Sequence, residues 1–146
     1  MEYMQSQWEK GIIDKIEKSK EKMHFLKMMK YRLKECNYKE KVMTFEFGLQ
    51  KWQINQFGSI NGAIISSMIE IACGTFSNFI AGDNDSVISD MHISFIRELS
   101  FNRSTYIKVS LIKEGKLIIR TRAEMFDGSR HVLVATASVS AIRIQR

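Results

Sequence analysis

The chain has 146 residues, of which 45% are hydrophobic and 26% charged; this is one ordinary domain with enough apolar side chains for a core, and it excludes a disordered or low-complexity chain. Cys36 and Cys73 are too few and too far apart for a zinc motif or a disulfide framework, so two reduced, buried thiols are expected. The net charge of +6 is concentrated in residues 1–41, which hold 11 Lys or Arg against 7 Asp or Glu, but Lys alternates with Glu there, and a solvated helix face is expected rather than a nucleic-acid surface.

Residues 1–41 lack proline and place Trp8, Ile12, Ile13, Ile16, Met23, Leu26 and Met29 or Leu33 at roughly helical spacing. One or two amphipathic helices are predicted, forming an N-terminal helical extension over 1–41 ahead of a main domain over 42–146. Met1 to Lys10 has no apolar core of the kind a signal peptide carries. The longest apolar stretches are broken by Asn, Ser, Glu or Lys short of the roughly 18 residues that span a bilayer. The expectation is a cytoplasmic protein without a membrane segment.

From Met43 the pattern changes: Met43, Phe45, Phe47 and Leu49 alternate with Thr44, Glu46 and Gly48, as a half-buried strand does. A loop, Asn55 to Gly62, leads into a run from Ala63 to about Ile80 that is apolar on nearly every side and predicts a buried helix. Four strands follow, over Val87 to Arg97, Thr105 to Lys113, Lys116 to Phe126 and His131 to about Ile144. Glu114-Gly115 and Asp127-Gly128 make the last two turns, because Gly supplies the positive φ of tight hairpins. An α+β fold results, with an antiparallel sheet curled around one long helix. One sheet leaves much of that helix uncovered, so a second subunit is expected to close the core.

Glu70 lies between Ile69 and Ile71 in the most apolar segment, where an unpaired buried charge is costly. Its helical neighbours Gly62, Ala63, Ser66, Ser67, Cys73, Gly74 and Ser77 are small, which leaves room for a backbone, a ligand or a partner helix beside the carboxylate. A functional group fits this spacing as well as a Glu that reaches solvent at a helix edge or pairs with a Lys or Arg of the sheet. The preceding loop adds Gly58 and Gly62, which permit close approach, the unpaired first amides of the helix, which suit developing negative charge, and Asn55 as a further donor. Gly62 and Glu70 are eight residues apart, about 12 Å along a helix. That is too far for one chain to offer both to the same carbonyl, whereas antiparallel helices of a dimer would bring them together.

The pattern Asn55-x-x-Gly58-x-x-Asn61-Gly62, then Glu70, then Asp90-Met-His-Ile-Ser-Phe-Ile-Arg97, resembles the hotdog-fold acyl-CoA thioesterases of the PaaI type, related to 4-hydroxybenzoyl-CoA thioesterases. The resemblance runs from about Met43 to Arg143. It implies a hotdog fold and hydrolysis of an acyl-CoA thioester to free acid and CoA, with CoA part of the substrate and no metal or cofactor. It also implies a homodimer or a dimer of dimers. Glu70 would be general base or nucleophile, the Gly62 amide would polarise the carbonyl, and Asn55 would orient the catalytic unit or water. Gly58, Asn61, Ser66 and Gly74 would line the substrate's path, with Lys113 and Lys116 near the CoA phosphates. Two positions depart from the family: its His-Gly-Gly is Asn61-Gly62-Ala63 here, and the Pro after the strand's Arg is Glu98. The missing His and the extra N-terminal helical segment support an alternative, a non-catalytic acyl-CoA-binding or sensing protein with residues 1–41 as a docking element. His92 is expected to be a hydrogen-bonded structural histidine, and Cys73, beside a carboxylate, is a poor nucleophile.

Overall fold

The computed structural model describes residues 2–145. Its elements in chain order are α1 (Glu2–Lys22), α2 (His24–Met28), β1 (Tyr31–Asn37), β2 (Val42–Gly48), α3 (Gly62–Ala81), β3 (Asp85–Phe95), β4 (Ser104–Glu114), β5 (Ile118–Phe126) and β6 (Leu133–Ile144). The strands form one antiparallel sheet in the order β1-β2-β4-β5-β6-β3, with α3 against its inner face. This is the hotdog arrangement that the resemblance implies.

The sheet's inner face explains why α3 sits where it does. Phe45, Phe47, Ile107, Val109 and Met125 are fully buried, whereas β6 presents Ala135, Ala137 and Ala141. Large side chains on β2, β4 and β5 and small ones on β6 make up the face against which α3 packs Met68, Ile69, Ala72, Cys73 and Phe76. Each of the larger side chains contributes about 1.5–3 kcal/mol through burial. Asn61 starts the helix and Gly82, at φ 70°, ends it. By length and composition α3 could cross a membrane, contrary to the expectation that no apolar run is long enough. Here its apolar face is spent on the sheet.

The helical expectation for residues 1–41 holds as far as Met28. Beyond it, Tyr31 and Leu33 turn inward while Arg32 and Lys34 face solvent, a period of two that forms strand β1, paired with β2 from Tyr31 opposite Phe47 to Asn37 opposite Val42. Nor does α1 stand apart as a docking element. Trp8, Ile12 and Ile16 belong to the main core, while Ile13 is exposed. The Trp8 ring tilts on Phe79 at 5.4 Å and meets Tyr38 edge-on at 5.8 Å. Gly11 permits this approach: a Cβ there would come within 3.0 Å of the Phe79 ring. The Lys15 ammonium adds a hydrogen bond of 3.0 Å to the Asn78 carbonyl.

Candidate active site

The loop before α3 is held by its own side chains. The Asn55 carboxamide oxygen accepts from the amides of Phe57 at 2.9 Å and Ser59 at 3.1 Å, folding the chain over Gly58, whose φ of 84° is one that L side chains rarely adopt. Asn61 is the N-cap: its side chain accepts from the Ala63 amide at 2.8 Å, and its carbonyl accepts from the amides of Ile64 and Ile65. The first-turn donors are thereby satisfied except one. Among the described residues the Gly62 amide has no acceptor, and it lies at the positive end of the helix. Gly62 is not in the left-handed region, and a Cβ there would make ordinary contact with the Phe95 ring at 3.7 Å; its value is openness, not backbone freedom. Asn55, Gly62, Phe95 and Arg97 line a groove of about 310 Å³. Phe95 and Ile96 on its lining are 55% and 47% exposed, and Phe57 in the preceding loop is 76% exposed.

Glu70 lies two turns further along α3 and, in the single chain, it is exposed, as a Glu reaching solvent at a helix edge would be and not enclosed as its apolar neighbours suggest. At 100° per residue Ile69 and Cys73 face the sheet while Glu70 turns away from it. Its carboxyl lies in a separate groove of about 270 Å³, whose lining includes Lys15, Met23, Leu26, Tyr31, Gly74 and Thr75. None of the ion pairs among the described residues involves Glu70. Partial removal from water raises its pKa above the ordinary carboxylate value. A Cβ on Gly74 would sit 3.8 Å from the Glu70 Oε1, so the small residue keeps that side of the carboxyl open. Ser66 and Ser67 donate their hydroxyls back to the Gly62 and Ala63 carbonyls, each at 2.9 Å.

One chain does not unite these groups. Asn55 and Gly62 line one groove and Glu70 another, separated by about 12 Å of helix. Lys113 and Lys116 are exposed on the β4–β5 hairpin. Arg143 ties that hairpin to α3, donating to the Gly115 carbonyl at 3.3 Å, the Ala81 carbonyl at 3.0 Å and Glu114 at 3.1 Å. Both lysines therefore stand by the C-terminal end of α3, opposite Gly62. Cys73 is buried and its thiol pushed up to about 12, first by burial, and Cys36 is half-buried and pushed up to about 11. His92 is exposed, opposite the exposed Ser138, instead of being enclosed as a structural histidine. No three His, Cys, Asp or Glu residues cluster among the described residues.

Residues 57–134, more than half of the chain, match the Thioesterase superfamily. The chain belongs to this superfamily. A search of curated proteins gives no match. Among solved structures, the E. coli PaaI protein of the phenylacetic acid degradation operon superposes with a TM-score of 0.80 at 16% identity, over 94% of this chain and 96% of that one. A phenylacetic acid degradation-related protein from Ralstonia eutropha gives 0.75 at 13% identity, over 82% and 89%. A hypothetical thioesterase from Streptococcus pneumoniae, solved with coenzyme A, gives 0.70 at 11% identity, over 80% and 87%. These likenesses establish the shared fold. For a thioesterase-superfamily chain, the wall opposite Glu70 is the part that sequence reasoning missed: Lys15, Met23, Leu26 and Tyr31 lie 39 to 55 positions before it and carry no local signal.

Proposed function

We propose that this protein is a cytoplasmic acyl-CoA thioester hydrolase that acts as a homodimer or a dimer of dimers, with no metal or cofactor. The observation that carries the reading is Glu70, a carboxylate with no ion-pair partner among the described residues, set in a groove and raised in pKa by desolvation. Such a group is a general base whose pKa moves toward the working pH. Glu70 takes a proton from water as the water oxygen bonds to the thioester carbon. The carbonyl oxygen becomes an oxyanion and accepts from the Gly62 amide, the free donor at the head of α3. Collapse breaks the C–S bond, and the Glu70 proton passes to the departing CoA thiolate.

The dimer supplies what one chain lacks. β3 is an open border of the sheet, and Val87, Phe95 and Ile96 are exposed on or beside it, features that suit pairing with a second copy. Antiparallel α3 helices then set the Gly62 end of one subunit beside Glu70 of the other. The structural neighbour solved with coenzyme A supports CoA as the thiol. Asn61, in place of the family's His, supports the loop as the helix cap. The test is thiol release from short, medium, long and aromatic acyl-CoAs. Turnover of at least one is expected, and CoA binding with no turnover of any would replace this reading with a binding or sensing protein.

A further inference from the structure

The groove that holds Glu70 has two walls of different origin. One is α3, through Glu70, Gly74 and Thr75; the other is the N-terminal segment, through Met23, Leu26 and Tyr31. The second wall is anchored. Trp8, Ile12 and Ile16 fix α1 in the core, Lys15 is hydrogen-bonded to the Asn78 carbonyl of α3, and Tyr31 is fully buried with its ring stacked on Phe47 at 5.4 Å. Between the two helices Met23 adopts extended backbone, φ −126° and ψ 107°, with its side chain 53% exposed. Fixed residues thus close the groove's depth, and an unbranched, adaptable thioether stands at its rim.

We infer that this N-terminal wall selects the acyl group. The inference rests on the thioesterase reading, which puts the thioester carbon at Glu70; the acyl chain then runs into the groove that Glu70 lines. An apolar cavity of about 150 Å³ holds a benzene ring. The groove of about 270 Å³ therefore has room beside Glu70 for an aryl or medium-chain acyl group by the same scale. Longer chains meet Leu26 and Tyr31. Burial of each methylene corresponds to about fourfold in kcat/KM, so the preference should climb with chain length and then break where the wall is reached.

The experiment measures kcat/KM for straight-chain acyl-CoAs from acetyl to hexadecanoyl and for benzoyl-CoA, together with the affinity of non-hydrolysable acyl-CoA thioethers of the same lengths. Met23→Trp, at an exposed position that leaves the core intact, should lower the longest accepted acyl groups about fifteenfold relative to butanoyl-CoA, the equivalent of losing roughly two buried methylenes. Leu26→Ala should move the break to longer chains. Met28→Trp, on the same short helix but outside the groove, should leave the length profile unchanged. Hydrolysis with one unaltered length profile in wild type, Met23→Trp and Leu26→Ala overturns the inference and leaves the hydrolase standing. Length-dependent thioether binding that shifts in the variants, with no turnover, supports the wall and removes the hydrolase. Neither turnover nor thioether binding overturns both.

Discussion

Gly62→Pro isolates the oxyanion donor with little other change. Proline at the first position of a helix is well tolerated because that amide has no acceptor within the helix. Asn61 already has φ −60° and ψ 135°, the extended conformation required before a proline. The nearest atom to a new Cβ is the Phe95 ring at 3.7 Å, an ordinary contact. The substitution therefore deletes one N–H and preserves the fold. Removal of a single oxyanion-hole donor lowers kcat by about 10²–10³-fold, and Tm should stay within a few degrees. The companion variant is Glu70→Gln, which keeps side-chain volume and loses the base, about a hundredfold or more. Co-expression of the two under different tags and purification through both yields the mixed dimer. If the halves of a site come from opposite chains, one of its two sites carries both lesions and the other none, so about half of wild-type activity returns. Wild-type kcat in a folded Gly62→Pro protein would refute the oxyanion assignment. A mixed dimer, verified by native mass, that is no more active than its parents would refute the cross-subunit site.

The raised pKa of Glu70 places the acid limb of the kcat/KM profile above the ordinary carboxylate range, and Glu70→Gln should abolish that limb along with the rate. The same shift has a sign for stability: the folded chain binds this proton more tightly than the unfolded one, so stability falls as pH rises from the unfolded toward the folded pKa. Thermal melts should therefore find Glu70→Gln the more stable protein at neutral pH and show that advantage vanish in acid. Gly58→Ala should cost about 1 kcal/mol in urea unfolding, all of it from the left-handed backbone, because nothing lies within 4 Å of the added methyl. Removing residues 2–22 strips Trp8, Ile12 and Ile16 from the core and should cost about 5 kcal/mol at the usual burial energies; unchanged urea stability would refute α1 as a core element.

The central helix was legible from its apolar run, interrupted by little beyond small residues and Glu70, whereas the Asn61 cap that starts it emerges only from the structure. The last strands were legible because alternation ends at Glu114-Gly115 and Asp127-Gly128, although neither glycine takes the expected positive φ and in the second turn Arg130, at φ 66°, does. β1 was not. Its alternation is short, a bulge between Leu33 and Glu35 breaks the period, and the helical spacing from Met23 to Met29 runs straight into it. At the site, Gly62 and Glu70 could be read as a spacing, since both are on one helix. The exposure of Glu70 could not be read from flanking isoleucines, because adjacent helical residues face different ways. The opposing wall depends on contacts such as Lys15 with Asn78, which tertiary folding alone creates.

The two borders of the sheet differ in what they offer to another strand. β3 is eleven residues long with Val87 and Phe95 in solvent, whereas β1 is seven residues long, bulged, and fringed by Arg32, Lys34 and Glu35. Short length, a bulge and outward charges are the means by which sheets refuse further strands. Association through β3 therefore leaves a β1 border at each far side, and lateral growth terminates there. If two copies pair through β3 as proposed, the β1 hairpin is the end-stop that keeps the assembly from growing into an indefinite sheet.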